Sequence, residues 1–153
     1  MKIRKAELRD KEIITKYNYN LAYETEDKKL NLDILSKGVE MLLKDSNKGI
    51  YHVCEIDDKV VGQIMYTYEW SDWRAGTFIW VQSVYVDKEY RGKGVFKTLY
   101  KYIKDMCDKD DNICGIRLYV EKENQIAQKT YESLDMEQCN YYMYEYEKTN
   151  TPK

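Results

Sequence analysis

The chain has 153 residues, of which 43% are hydrophobic and 34% charged, as is typical of one globular domain with a continuous core. Its 25 Lys and Arg residues nearly balance 27 Asp and Glu residues, so it lacks the positive field that attracts nucleic acid or anionic lipid. No run is long enough to span a membrane and the first residues lack a signal-peptide stretch, so we expect a cytoplasmic protein.

The cysteine and histidine inventory argues against a metal site and against a cysteine nucleophile. The four cysteines form no CxxC pair, and scattered cysteines in a cytosolic protein are usually reduced thiols. Cys107 as a nucleophile would need a histidine base, yet the only histidine, His52, lies in an apolar, strand-like segment where packing is the commoner role. We therefore expect no metal.

Hydrophobic periodicity predicts alternating elements along the first half of the chain. The predicted elements are a strand over 2–6, a helix from residue 8 to about 24, a helix over 31–45, and strands over 50–56 and 60–70. Asn31 is a capping candidate for the second helix. The turn at residues 57–59 predicts that the two later strands form an antiparallel hairpin.

The second half predicts a βαβ unit, then a helix and a tyrosine-rich strand. The predicted elements are a strand over 77–86, a helix after Gly94, a strand over 115–121, a helix over 124–134, and a strand over 138–147. A crossover helix between two strands of one sheet requires those strands to lie parallel.

The segment from Arg91 to Gly94 lies between a predicted strand and a predicted helix, an arrangement that suits an anion. The first backbone N–H groups of a helix have no partner within it, and the helix dipole is positive there. Glycines let a phosphate approach the backbone, and Arg91 and Lys93 add charge, so the segment predicts a diphosphate site. The alternative is a glycine turn with solvated basic residues. The Walker pattern is absent and GxGxxG lacks its third glycine, which argues against nucleotide hydrolysis and hydride transfer.

Two motifs resemble those of the GCN5-related N-acetyltransferase (GNAT) superfamily. The first is Val84-Tyr85-Val86 followed by Arg91-Gly92-Lys93-Gly94-Val95-Phe96, similar to the family's fourth strand and its RxxGxG/A pyrophosphate loop, with Phe96 in place of the usual Gly or Ala. The second is Asn124, Ala127 and Tyr131, spaced as in the family's NxxAxxxY helix and along one helix face.

The resemblance implies a mixed α/β fold. Its central twisted sheet is mixed but mostly antiparallel, with about six or seven strands flanked by about four helices. The sheet is splayed where the strand over 77–86 leaves the strand over 115–121. We expect a single acetyltransferase domain over residues 1–147 and a frayed tail over 148–153. Acetyl-coenzyme A is the implied cofactor, without a metal, and a homodimer is plausible.

The resemblance also implies roles for the motif residues. The strand at Val84, Tyr85 and Val86 pairs with the pantetheine arm through backbone groups, and the loop residues bind the diphosphate. The Val84 N–H points at the thioester carbonyl, which gains negative charge as the amine attacks. Asn124 contacts pantetheine along the helix face that holds Ala127, and Tyr131 is the acid for the leaving thiolate. The alternative for Tyr131 is a packed tyrosine.

The resemblance implies an amine as the acetyl acceptor, and carboxylates in the segments that flank the acceptor pocket of the family could bind it. An alkylamine has a pKa of ~10.4, so a base must remove a proton before attack. Trp80 stands where several relatives have a glutamate, so no base is carried over. The predicted substrate-binding residues are Glu24, Glu26, Glu69, Asp72, Trp80 and Gln82. Acidic and aromatic side chains attract an ammonium, whereas Arg74 would instead suit a carboxylate.

The sequence thus predicts an acetyl-coenzyme A-dependent N-acetyltransferase that acts on a primary amine of a small molecule, or of a peptide or protein. The alternative is a noncatalytic acyl-coenzyme A sensor, which the absent glutamate permits. A nucleic-acid module is disfavoured by the near-neutral charge.

Overall fold

The computed structural model of the protein describes residues 1–149, which divide into two compact units, residues 1–117 and residues 118–149. Residues 150–153 of the predicted tail lie outside the described range. The single domain over residues 1–147 stays a prediction.

A five-stranded sheet organises residues 1–117. The strands lie side by side in chain order: β1 (Lys2–Lys5), β2 (Ile50–Ile56), β3 (Lys59–Ser71), β4 (Gly76–Val86) and β5 (Ile113–Arg117). Neighbouring strands are antiparallel except β4 and β5, which run parallel. The mixed, mostly antiparallel sheet predicted from the sequence is confirmed, as is the parallel βαβ pair.

Four α-helices occur within the described residues, as predicted. They are α1 (Lys11–Glu26), α2 (Leu32–Leu43), α3 (Val95–Lys109) and, in the second unit, α4 (Gln125–Ser133), with short 3-10 turns at Leu8–Asp10 and Lys88–Tyr90. Asn31 caps α2 as expected, because its side chain accepts the backbone N–H groups of Asp33 and Ile34 at 3.0 and 3.1 Å. The α3 helix is the crossover between β4 and β5.

Helices cover both faces of the sheet. On the face that α1 and α2 cover, termed the α1/α2 face, strand and helix residues and one residue that follows β1 pack in one cluster: Ala6, Ile14, Val39, Tyr51, Val53 and Met65. Successive side chains of a strand point to opposite faces, so Gly62 of β3 faces α3. A Cβ on Gly62 would lie 2.8 Å from Val95 Cγ1. The glycine therefore lets the first turn of α3 pack directly against β3.

The strand count was predicted wrongly, because the described residues contain five strands rather than six or seven. The missing strand is the tyrosine-rich segment 138–147, which has no strand geometry and whose tyrosines are exposed, Tyr142 by 83% and Tyr144 by 92%. Alternating tyrosines favour a strand only where a neighbouring strand and a packed face are present, because β propensity depends on that context. The strand predicted over 115–121 is also shorter and ends at Arg117.

Candidate active site

Strand β4 contains a bulge opposite Ile64 of β3. Two residues of β4, Ser83 and Val84, lie opposite this one residue of β3. The flanking pairs are Gln63 with Tyr85 and Met65 with Gln82. Ser83 has a φ of 51°, in the left-handed region that residues with side chains rarely adopt. A bulge bends its strand and redirects the backbone groups of the extra residue, and this bulge lies at the predicted N–H donor.

Strands β4 and β5 separate beyond Trp80. Their paired positions run from Thr77 with Ile113 to Trp80 with Arg117. Since β4 continues to Val86 while β5 ends at Arg117, residues 81–86 have no paired strand on the β5 side within residues 1–117. Open backbone groups of this kind can hold an extended polar ligand as an added strand. The predicted splay is therefore confirmed.

The loop between β4 and α3 depends on two glycines. Gly92 and Gly94 have φ values of 76° and 83°, a conformation that glycine adopts without steric cost. Apart from its two chain neighbours, no described residue has an atom within 4 Å of a Cβ placed on Gly92, so its backbone angle, rather than crowding, requires the glycine. Gly94 is the N-cap of α3 and has no side chain to cap the first amides of the helix. Uncapped amides at a helix N-terminus can donate hydrogen bonds to an anion such as a phosphate.

Side chains around this loop are largely engaged in packing. Val95 is 1% exposed and packs on Gly62, so only its backbone can contact a ligand. The Phe96 ring stacks with Tyr100 at a centroid distance of 6.4 Å. Lys93 Nζ lies 4.9 Å from the centre of the Tyr90 ring. The loop therefore presents mainly its backbone and two basic side chains.

Arg91 is held by Glu24 and by the end of β4. Its Nη2 donates to Glu24 Oε2 at 2.8 Å, and its Nε donates to the Val86 carbonyl at 2.9 Å. The Tyr85 hydroxyl donates to Glu24 Oε1 at 3.0 Å, and Lys88 Nζ lies 3.3 Å from the same oxygen. Glu24, predicted as a substrate residue, is thus brought together with two residues predicted to bind the cofactor.

The pKa of Glu24 reflects these partners. Partial burial acts to raise the pKa, but hydrogen bonds from Arg91, Tyr85 and Lys88 outweigh it, so the pKa lies below its ordinary value. Burial and the contact with Glu24 raise the pKa of Tyr85. A carboxylate with a lowered pKa is a weakened base, which makes Glu24 poorly suited to remove a proton from an amine.

Three of the predicted substrate residues share the α1/α2 face of the sheet. Glu69 and Gln82 lie on the same face as Trp80, because cross-strand pairs join Glu69 to Phe78 and Thr67 to Trp80. Gln82 Nε2 donates to Thr67 Oγ1 at 2.8 Å. Arg117 donates to Glu69 Oε2 at 2.6 Å, and its guanidinium lies 3.8 Å from the Phe78 ring centre. The charge of Glu69 is therefore already paired.

The remaining two predicted carboxylates lie on exposed segments. Glu26 is the last residue of α1, and its carboxylate lies 3.9 Å from Lys28 Nζ. Asp72 lies in the exposed turn between β3 and β4, where its side chain accepts the Trp73 N–H at 3.0 Å. The structure does not join either of them to Glu24 or Glu69 by a described contact. Their roles in substrate binding stay predictions.

The second motif lies in the unit formed by residues 118–149. Asn124 is the N-cap of α4, and its Oδ1 accepts the Ala127 N–H at 3.1 Å. Its Nδ2 group keeps its capacity to donate to a ligand. Ala127 and Tyr131 are half-buried and lie one helical turn apart, on one face of α4.

Sequence reasoning missed a group of buried polar residues on the α1/α2 face. Gln63 is fully buried, and its Nε2 donates to Asn18 Oδ1 at 3.1 Å and to the Ser83 carbonyl at 3.2 Å. Asn18 Nδ2 in turn donates to the Tyr51 hydroxyl at 2.8 Å. The one available signal was a glutamine in an otherwise apolar run of β3, and nothing in the sequence linked it to the bulge.

Histidine and cysteine chemistry receives no support from the structure. His52 lies between the rings of Tyr66 and Tyr102, and burial lowers its pKa to about 4, so it is neutral near pH 7. Burial raises the pKa of Cys107, which keeps it a thiol. Over residues 1–149, no three His, Cys, Asp or Glu side chains group as metal ligands. No helix in that range is long and apolar enough to cross a membrane.

Comparisons with known proteins agree with this architecture. A model of the acetyltransferase (GNAT) family matches residues 11–136. The crystal structure of a possible acetyltransferase from Clostridium difficile 630 is 63% identical, with a TM-score of 0.94 over 97% of this chain and 98% of that chain. Among curated proteins, none matches the chain.

More distant solved structures share the fold. The ribosomal-protein-alanine N-acetyltransferase from Brucella melitensis biovar Abortus 2308 is 18% identical, with a TM-score of 0.77 over 95% of this chain and 97% of that chain. The glucosamine-6-phosphate N-acetyltransferase from Arabidopsis thaliana is 22% identical, with a TM-score of 0.69 over 95% of this chain and 97% of that chain. The match to the family model spans most of the chain, from α1 through α4. The chain therefore belongs to the GNAT family of acetyltransferases.

Proposed function

We propose that this chain transfers the acetyl group of acetyl-coenzyme A to a primary amine, of a small molecule or of a peptide or protein, by direct attack of the amine. The observation that carries the proposal is the bulged end of β4, which no strand of residues 1–117 pairs on the β5 side, followed after a short 3-10 turn by the glycine loop at the start of α3. An extended amide-bearing arm suits the open edge, and a diphosphate suits the loop.

The residues present fit such a cofactor. The backbone of Val84, Tyr85 and Val86 is the proposed partner of the pantetheine arm, and the amides around Gly92 and Gly94 are the proposed partners of the diphosphate. Lys93 adds positive charge to the loop. Arg91 contributes charge as well, although Glu24 shares its guanidinium. Acetyl-coenzyme A supplies the activated acetyl group as a thioester.

Two groups of the chain carry the proposed chemistry. The Val84 N–H donates a hydrogen bond to the oxygen that gains negative charge during amine attack, which lowers the barrier. The Tyr131 hydroxyl provides the proton that the departing thiolate takes up, a role inferred from the resemblance of its helix to the family motif. Neither Glu24 nor Glu69 is proposed as the base, because each already accepts a hydrogen bond from an arginine. The proton that the attacking amine loses passes to water or to another carboxylate.

A thiol-release assay tests the proposal. The purified chain is incubated with acetyl-coenzyme A and a panel of amines, including polyamines, amino acids, aminoglycosides and peptides, and free coenzyme A thiol is measured. We expect release above the amine-free background for at least one acceptor class, and mass spectrometry should find the acetylated amine. Calorimetry on the same preparation measures the affinity for acetyl-coenzyme A.

The two measurements separate the alternatives. Binding of acetyl-coenzyme A without thiol release for any amine would favour the noncatalytic sensor. Absence of binding would overturn both the enzyme and the sensor.

A further inference from the structure

Three buried polar side chains form a hydrogen-bonded network beneath the bulge of β4. Gln63, Asn18 and Tyr51 are 0%, 6% and 4% exposed. They come from β3, α1 and β2 respectively, and they meet on the α1/α2 face of the sheet. The network ends on the backbone of the bulge, where Gln63 Nε2 donates to the Ser83 carbonyl at 3.2 Å.

The network does not give the most stable packing that this buried site allows. Gln63 Oε1 is buried and has no hydrogen-bond partner among the described residues. A buried polar atom without a partner lowers stability, whereas an apolar side chain of similar shape would fill the site without that cost. Its position against the bulge suggests a purpose other than packing.

Peptide geometry links Gln63 to the Val84 N–H. The Ser83 carbonyl and the Val84 N–H belong to one planar peptide unit, and no peptide bond of the described chain is cis. In a trans unit the C=O and N–H bonds point in opposite directions. A hydrogen bond that fixes the Ser83 carbonyl on the Gln63 amide therefore directs the Val84 N–H away from Gln63.

The bulge requires such a restraint. Ser83 has a φ of 51°, a conformation that is sparsely populated for residues with a side chain and persists only when surrounding contacts enforce it. Without the bond from Gln63, rotation of the peptide unit between Ser83 and Val84 would become easier. A donor that must reorient at each turnover stabilises developing charge less well than a fixed one.

We propose that Gln63 is a positioning residue, anchored by Asn18 and Tyr51, that holds the Ser83–Val84 peptide so that the Val84 N–H donates to the thioester carbonyl of bound acetyl-coenzyme A. The inference rests on the proposed function. It assigns Gln63 no contact with the ligand. Its effect passes through the orientation of one peptide unit.

Vibrational spectroscopy of the bound thioester tests this role without an acceptor amine. Acetyl-coenzyme A labelled with ¹³C at the acetyl carbonyl is bound to the wild-type chain and to Gln63→Met, which keeps the side-chain length and removes the amide. A hydrogen bond to the carbonyl lowers its stretching frequency. We expect a lowered frequency in the wild-type complex and a frequency close to that of the free ligand in Gln63→Met, with affinities within about twofold of each other because most ligand contacts are elsewhere.

Two further variants make the result decisive. Asn18→Leu removes the oxygen that accepts the Gln63 amide, and should shift the frequency in the same direction by a smaller amount. Ile103→Val removes one methylene from the fully buried side chain on α3 and should leave the frequency at the wild-type value, which controls for general destabilisation. If Gln63→Met does not fold, Asn18→Leu decides the question.

Each outcome has one meaning. The positioning role would be overturned if the carbonyl frequency were not lowered in the wild-type complex. It would also be overturned if the frequency were lowered equally in the wild-type complex and in Gln63→Met, or in Asn18→Leu where Gln63→Met does not fold. Either result leaves the binding of acetyl-coenzyme A in place. No binding of acetyl-coenzyme A to the wild-type chain would overturn the proposed function and this inference together.

Discussion

At the scale of single residues, the role of a carboxylate depended on partners far away in the sequence. Glu24 was predicted to attract an acceptor amine, but it accepts hydrogen bonds from Tyr85 and Arg91, which are 61 and 67 residues away. Glu69 is likewise paired with Arg117, 48 residues away. Both carboxylates are thus already paired with an arginine, and the contacts of Glu24 place it beside the loop that we propose for the diphosphate.

Replacement of Tyr131 by Phe tests the proposed acid. Removal of the hydroxyl should lower kcat by about 10²-fold or more, since general acid catalysis contributes on the order of 10²–10⁴-fold. The dissociation constant for acetyl-coenzyme A, measured by calorimetry, should stay near the wild-type value. Tyr141→Phe, at an exposed tyrosine of the same unit, is the matched control and should change neither quantity. Unchanged turnover in Tyr131→Phe would exclude the acid role.

At the scale of elements, the start of α3 joins packing to the proposed ligand site. Val95 and Leu99 pack against Gly62, which fixes the helix on the sheet. Gly94 then turns the chain from the loop into the helix with a φ of 83°. Because Gly94 is the N-cap and has no side chain, the first amides of the helix have no capping side chain.

Gly94→Ala tests this junction. An alanine at positive φ is disfavoured by about 1–2 kcal/mol, so the variant should unfold at lower denaturant concentration and bind coenzyme A more weakly. Gly38→Ala is the matched control, because Gly38 lies inside α2 with no described atom near its Cβ position. It should stabilise the chain by roughly 0.5–1 kcal/mol and leave coenzyme A binding unchanged. Wild-type affinity in Gly94→Ala would argue against the loop as the diphosphate site.

At the scale of the whole molecule, a partly buried ion-pair network ties the first strand to its neighbours in residues 1–117. Arg4 on β1 donates to both oxygens of Asp10 at 2.8 and 2.9 Å and to Glu55 on β2 at 2.7 Å. Asp10 also accepts the Glu7 N–H at 2.7 Å, just before α1 begins. Burial acts to raise the pKa of Asp10, but the bonds from Arg4 and from the Glu7 backbone outweigh it and lower the pKa below 3.8.

Acid should therefore weaken the fold through Asp10. A carboxyl with a lowered pKa in the folded state stabilises it above the unfolded pKa of 3.8, and this contribution is lost as the pH falls through the folded value. We expect Asp10→Asn to lower stability by roughly 1–3 kcal/mol at pH 7, and the difference from wild type should shrink as the pH falls below 3.8 and through the lowered pKa of Asp10. Thermal unfolding across pH measures this. Asp108→Asn, in an exposed ion pair with Lys104, should have little effect at any pH. A constant difference for Asp10→Asn would contradict the linkage.

The sequence by itself determined the features that depend on neighbouring residues. The helices, the Asn31 cap, the β2–β3 hairpin and the glycine loop are all local, because periodicity, capping and turn conformation involve residues within a few positions of each other. The two motifs also identified the family, which the family model confirms. The fold class and the splayed pair of strands followed from that resemblance.

Only the tertiary structure decided which distant side chains meet. Glu24 with Arg91, Glu69 with Arg117, and Gln63 with the Ser83 carbonyl are contacts between separate elements. They depend on strand register and on the bulge, and a shift of one residue in register would turn every side chain of a strand to the other face. The segment 138–147 shows the same limit, because its pattern favoured a strand while a strand also requires a paired neighbour. Pairing is a property of the folded chain, so no local pattern could reveal it.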